Sequence, residues 1–360
     1  NQDLSARLIP VYPATEDLSS ETIMSLIHSI LDDATALLDD HLSETYRQSH
    51  ALPDLATAYR HLHRPDDEDD VKTARRRLAL DELLLLQLGV MLKRCHRHTY
   101  LQAPSLPMTE DIRARVLARI PFEPTEAQLR VMNDIAMDLN RSVPMNRLLQ
   151  GDVGSGKTVV ALAAMLQAVA CGHQAALVAP TELLAEQHER TLRKLLHRAP
   201  LHMALCTGSL PHSARAELES QISTGEIDIV IGTHALLADR IAFHSLAVAV
   251  TDEQHRFGVQ QRAVLRSKGS ASDQCPHQLV MTATPIPRTL SLTLFGDLDV
   301  SIIDELPPGR TPVKTVTVEQ GDTDAVYEEV ARRVRDGERA YIVVPVIDES
   351  TRGLTDLQSH

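Results

Sequence analysis

The run Gly151-Asp152-Val153-Gly154-Ser155-Gly156-Lys157-Thr158 constrains this chain more than any other feature of its sequence. It follows a short apolar stretch, Arg147 to Leu149, and leads into a helical stretch, Val159 to Val169. A strand, a glycine-rich turn and a helix in that order leave backbone N–H groups free to close around an anion. The helix N-terminus adds a favourable field. In the pattern GxxxxGK followed by Ser or Thr, the lysine brings a point charge to the β and γ phosphates of a nucleotide. The hydroxyl after it, here Thr158, ligates Mg2+. ATP and Mg2+ are therefore the expected cofactors, with residues 151–158 as their cradle.

The surrounding texture extends the expectation. From Met145 onward, apolar runs of four to six residues (RLLQ, AALVAP, IDIVIGT, LAVAVTDE, HQLVMTAT) alternate with helical stretches. Such runs, bounded by Gly, Pro, Thr or Asp, predict strands of a parallel sheet buried on both faces. Their alternation with helices predicts right-handed βαβ units, an α/β lobe whose ligands sit at the carboxyl ends of its strands.

Further motifs fall just after those runs. Asp252 and Glu253, in Thr251-Asp252-Glu253-Gln254-His255, follow Leu246 to Val250. Asp252 is expected to hold Mg2+, directly or through water, and Glu253 to orient and deprotonate the attacking water. On an extended strand end, adjacent side chains face opposite sides, one to metal and one to water. His255 completes the expected catalytic set with Lys157. Thr282, Thr284 and Arg288 lie in the next strand-end segment, Met281 to Thr289. The threonine hydroxyls suit hydrogen bonds to the acidic pair or to His255 and would report the γ phosphate, although alone the segment also reads as a proline-containing turn. Upstream, Gln128 offers both a donor and an acceptor to an adenine edge. Phe122 reads equally as a nucleotide contact or as core. Three more strand-end pairs, Pro180 with Thr181, Thr207 with Gly208 and Thr233 with His234, suit phosphate oxygens of a nucleic acid. They read about equally as ordinary turn and helix-cap residues.

Composition narrows the partners. The net charge of −13 argues against a basic surface overall but leaves room for a local positive groove. Aromatics are 3% and Trp is absent, which favours backbone contact over base stacking. Cys95, Cys171, Cys206 and Cys275 are widely spaced, so free thiols in a reducing cytosol are expected rather than disulfides or a zinc site. The opening NQDLSARLIP lacks a secretory pattern and a starting Met, which reads as a fragment.

Residues 1–105 read as a helical region. Ser19 and Ser20 precede an apolar-periodic run from Ile23 to Leu38, and Arg75 to Arg97 reads as one long helix with Leu78, Leu83, Leu84, Leu86 and Leu92 for packing. The apolar stretch Leu83 to Leu92 is too short to span a bilayer and is expected to be a buried face. Pro65 to Asp70 is expected to be a solvated loop. Residues 106–305 form the expected nucleotide-binding lobe. Residues 306–360 read as the rest of a proline-rich linker (Asp304 to Pro312), then a strand Val313–Val318, a helix Ala325–Val334 and a strand Tyr341–Ile347. That is too little for a second lobe of ~100–150 residues.

The segments QGDVGSGKT, APTELLAEQH, IGTHALL, DEQHRFGVQQR, MTATPIPRTL and DELPPGRTPV resemble, in order and spacing, the superfamily 2 motor of the RecG helicases. The resemblance covers roughly residues 105–350, and the opening RLIPVYPATEDLSSETI is similar to the exit from that family's DNA-binding wedge into a helical linker. It implies a RecA-like P-loop lobe and a DExH-type ATPase. It also implies branched or duplex DNA as partner, in recombination and repair, and a monomeric motor in the cytoplasm at the nucleoid. The wedge and the later second-lobe motifs, which carry the arginine finger, are not in this sequence, so the chain alone is expected to be impaired. The transcription-repair coupling translocases have a similar motor and stay as an alternative. RNA helicase activity is a weaker one, and a nucleotide- and DNA-binding fragment without useful turnover is a third.

Overall fold

The computed structural model describes residues 8–197, 199–253, 274–284, 298–305, 315–318 and 323–343. The chain divides into two compact units, Asn1–Pro308 and Gly309–His360.

The first unit opens with four helices: α1 (Ser20–Ala36), α2 (Glu44–Ser49), α3 (Leu55–His63) and α4 (Glu68–Tyr100). Each begins on a side chain that accepts an otherwise unpaired backbone N–H: Ser19 from Thr22, Ser43 from Tyr46, Asp54 from Thr57 and Asp67 from Asp70. The acidic run expected as a loop is therefore in large part the first turn of α4. Glu68, Asp69 and Asp70 lie inside the helix, because carboxylates are favoured at the positive end of a helix dipole.

The expected burial of Leu83–Leu92 is not observed. Leu83, Leu85, Met91 and Leu92 are 49, 69, 58 and 62% exposed. The buried residues of α4 are Ala74, Arg77 and Arg97. Helical periodicity reveals an apolar stripe but not what covers it. Arg77, fully buried, bonds to Asp40 (2.8 Å) and to Asp81. Burial alone would raise the Asp40 carboxyl, but the N–H groups of Leu42 and Leu55 together with Arg77 hold it below the usual range.

Then come α5 (Glu110–Leu117), α6 (Glu126–Leu139) and a sheet of seven parallel strands in the order β3-β4-β2-β5-β6-β1-β7. The strands are β1 (Asn146–Gly151), β2 (Gln174–Val178), β3 (Met203–Cys206), β4 (Ile229–Gly232), β5 (Leu246–Asp252), β6 (His277–Thr282) and β7 (Asp299–Ile303). Between them run α7 (Lys157–Ala170), α8 (Glu182–Leu195) and α9 (His212–Thr224). β2, β4 and β6 are buried throughout, as continuous apolar runs covered on both faces should be. Alternate residues separate the two faces. Leu149, Leu177, Ile231, Val250 and Met281 join the core with α5 to α8, whereas Val178, Val230 and Ala249 join the one with α9. Ten successive residues of α7, Val159 to Ala168, are buried, so the helix after the P-loop is enclosed. The α/β lobe with a parallel sheet, preceded by helices, is thus the observed fold. β7, unforeseen from sequence, is an edge strand whose alternating burial gives no continuous apolar run.

In the second unit, α10 (Thr323–Arg335) matches the expected helix within two residues at either end. Residues 315–318 and 341–343, the described parts of the two expected strands, carry no strand pairing. A strand exists only with a partner to complete its ladder. Among the described residues no helix is long and apolar enough to cross a membrane.

One buried histidine ties three segments together. The ring of His277, at the start of β6, accepts at Nδ1 from the Met145 N–H (3.0 Å) and donates from Nε2 to the Pro104 carbonyl (2.8 Å). Burial holds its pKa below the ordinary value of 6.5. The folded state therefore binds this proton more weakly than the unfolded chain. The stability of the neutral ring is full above the unfolded value and is lost as pH falls from there through the lower, folded one. The urea midpoint is expected to drop between about pH 7.5 and about pH 5.5. His277→Gln, which keeps one donor and one acceptor, should lessen that drop, and an unchanged pH slope in the variant would show that His277 does not contribute.

Candidate functional site: the carboxyl edge of the parallel sheet

The register of the central strands brings the motifs to one edge. Thr282 at the end of β6 pairs with Gln150 of β1, and Met281 with Asp252 of β5. Gly151, Asp252 and Thr282 therefore end three neighbouring strands at the same level.

The phosphate cradle is built by backbone geometry. Gly154 and Gly156 have φ of 78° and 91°, the left-handed region that only glycine adopts without strain. A Cβ at Gly156 would also come within 2.2 Å of Gln128 Nε2. Lys157 is folded onto the loop, its Nζ donating to the carbonyls of Gly151 (2.8 Å) and Asp152 (2.9 Å). Burial lowers its pKa, opposed by the charges of Asp252, Glu253 and Asp152. Asp152 and Val153 are exposed at the tip, Thr158 is half-buried, and Ser155 is fully buried with its Oγ unpartnered. A buried hydroxyl with no partner among the described residues, beside two glycines in left-handed backbone, fits a loop shaped for an anion.

Gln128 is buried, and both ends of its amide are used. Its Nε2 donates to the Ser155 carbonyl (2.8 Å), and its Oε1 accepts from the Thr125 N–H (3.0 Å), closing a capping box at the start of α6. Each amide atom still has capacity for a second hydrogen bond. Phe122 is 46% exposed, so it is not a core residue.

Asp252 ends β5, and Glu253 departs from the expected extended geometry. Its φ is 52°, left-handed for a non-glycine residue, while its N–H still donates to the Met281 carbonyl (3.0 Å). The chain turns sharply here, so the two carboxylates are set apart by a turn and not by strand alternation. A residue held in this region costs on the order of 1–3 kcal/mol. Thr282 and Thr284 bond to one another through their hydroxyls (2.8 Å) on the neighbouring strand end. His255 and Arg288 lie outside the described residues.

The three expected nucleic-acid segments form a second strip, at the ends of β2, β4 and β3. Thr181 is exposed and caps α8 through Leu184 N–H (3.3 Å), with Pro180 half-buried before it. Glu182 Oε1 accepts from the Ser209 N–H (3.0 Å), and contacts with Ser209, Gly208 and His234 lower its pKa. Gly208 and His234 are exposed, whereas Thr207 and Thr233 are buried turn residues, 4 and 1% exposed. Thr233 caps the short helix that follows, and Thr207 bonds to Ser209 (3.0 Å).

Two arginines that motif reading missed stand in the same strip. Arg215, on α9, donates to the carbonyls of Thr207 (3.2 Å) and Gly208 (2.6 Å). Arg240 pairs with Glu219 (2.8 Å). Together with Gly208 and His234 they line an open cleft of about 420 Å3. Neither belongs to a short motif; only the fold brings them to the strand ends.

Residues 125–293 match the family model described as DEAD/DEAH box helicase. ATP-dependent DNA helicase RecG of Synechocystis sp. is 45% identical over 346 residues, which cover 96% of this chain and 41% of the relative. RecG of Bacillus subtilis is 42% identical, covering 95% of this chain and 50% of the relative. The solved structure of RecG bound to a three-way DNA junction superposes with a TM-score of 0.77 at 36% identity. That match covers 94% of this chain and 45% of the solved one. The chain spans about half the length of the curated relatives it matches. The P-loop and acidic motifs on the ends of the two strands that flank β6, together with these likenesses along nearly the whole chain, show that it belongs to the RecG family of helicases.

Proposed function

We propose that this chain is the ATP-binding and DNA-tracking portion of a motor that remodels branched DNA in recombination and repair. The observation that carries the proposal is the register placing Gly151, Asp252 and Thr282 on adjacent strand ends, with a basic cleft at the ends of the strands beside them. Lys157 leaves the loop carbonyls and pairs with the β and γ phosphates. The N–H groups of residues 154–158 enclose the same oxygens. Thr158 and Asp252 would hold Mg2+, since a hard cation takes hydroxyl and carboxylate oxygens. When bound, it neutralises charge on the transferring phosphoryl group. Glu253 orients the attacking water and takes its proton, and His255 belongs to the same proposed catalytic set. Thr282, Thr284 and Arg288 relay the nucleotide state. Gln128 and Phe122 face the base.

At the other strip, Thr181, Gly208 and His234 with Arg215 and Arg240 contact the phosphates of one strand. Pro180, Thr207 and Thr233 shape the turns that present them. Such contacts position a strand without reading its sequence. The parent motor acts as a monomer in the cytoplasm, at the nucleoid. Turnover by this chain alone is expected to be slow, since an arginine finger supplied by another element contributes ~10³–10⁵ in rate to related reactions.

Two measurements check these assignments. In ATP hydrolysis assays with forked DNA, Glu253→Gln should keep nucleotide binding and lose ~100-fold or more in turnover. Lys157→Ala should lose binding as well. Activity surviving Glu253→Gln would assign the base elsewhere, and equal stimulation by RNA would favour a different superfamily 2 role. In DNA-binding titrations, Arg215→Glu and Arg240→Glu should each weaken affinity for all sequences alike. Each should also flatten the salt dependence by about one unit of slope; unchanged binding in both would remove the strip from the DNA path.

A further inference from the structure

Asp252 has a side-chain partner in His188, the last residue of the APTELLAEQH segment, to which motif reading gives no role. His188, in the second turn of α8, points its ring at the end of β5, with Nε2 2.7 Å from Asp252 Oδ2. The two side chains are 12 and 14% exposed, so the contact is largely shielded from water. An ionised carboxylate only accepts, so the imidazole donates. One oxygen of Asp252 is thereby committed, leaving the other for a cation or its water. The contact also restrains the Asp252 side chain to one rotamer.

We infer that His188 is a positioning residue for the metal ligand: it fixes the Asp252 carboxylate in the orientation that receives Mg2+ with the nucleotide. The inference rests on the reading of Asp252 as an Mg2+ ligand given above. Its physical basis is general, since ligating carboxylates need outer partners to hold them, and loss of such a partner costs ~10- to 100-fold in metal affinity. The alternative is a simple tie between α8 and the sheet. A tie of that kind would affect nucleotide binding equally with and without the metal.

The test is titration of the chain with a fluorescent, non-hydrolysable ATP analogue in EDTA and in MgCl2, for the unmodified chain, His188→Ala, His188→Gln and Lys157→Ala. Thermal melting of each variant is followed in parallel. His188→Ala should bind as the unmodified chain does in EDTA but lose about ten-fold of the affinity gained with Mg2+. His188→Gln, whose amide N–H can reach the same oxygen, should recover most of that gain. A full Mg2+-dependent gain in His188→Ala overturns the inference, as does an equal loss in EDTA and in MgCl2. If the unmodified chain gains nothing from Mg2+, or Lys157→Ala binds as well as it does, the nucleotide-site reading itself fails and this inference with it.

Discussion

The hydrogen-bond ladder joining β5, β6 and β1 sets the relative positions of Gly151, Asp252 and Thr282. Parallel strands all end on one edge, and the pairing of Gln150 with Thr282 and of Asp252 with Met281 puts the P-loop, the acidic pair and the threonine pair at one level. A slip of one residue along this ladder would turn inward-facing side chains outward and move the carboxylates by a strand rise of about 3.3 Å. The apolar residues on both faces make that slip costly. Leu149, Val250 and Met281 on one side and Leu148, Ala249 and Val280 on the other have no exposed place to go.

Where chemistry depends on residue type at fixed local spacing, the sequence is explicit. The glycines and lysine of the P-loop and the cap at Ser19 are legible, because each makes its interaction within a few residues of itself. Groups whose role depends on distant segments are not. Arg215, Arg240 and His188 look like solvent-facing residues of amphipathic helices until the sheet order brings α8 and α9 beside other strand ends. The conformation of Glu253 was hidden for another reason. Its left-handed backbone, with φ of 52°, has no glycine to announce it. The leucines of α4 show the opposite limit, a clear helical stripe whose covering surface is not encoded in the stripe itself.

The helical region is organised by charge as much as by apolar contact. Arg77 is fully buried, yet its guanidinium reaches Asp40 and Asp81, and Asp40 also accepts from the backbone of Leu42 and Leu55. Desolvating such a group is costly, and its carboxylate partners offset that cost only when the geometry is complete. The arrangement fixes α4 against the loop between α1 and α2 at one angular setting, which a slippery apolar contact would not. Farther along, Arg94 reaches Asp299 at the edge strand β7 (2.6 Å) and fastens the other end of the same helix to the sheet.

The strand order also dictates a sequence of events as the polypeptide leaves the ribosome. β2, β3 and β4 lie close together in the chain and pair with one another, so one half of the sheet can form early. β1 cannot join it then. Its neighbours are β6 and β7, more than a hundred residues farther on, and closing so long a separation is slow. Until β6 emerges, the strand preceding the P-loop has both edges open, and the anion cradle has no floor. The P-loop edge is thus the last part of the lobe to be assembled, and a nascent chain acquires the strip at the ends of β2, β4 and β3 before the cradle at the end of β1.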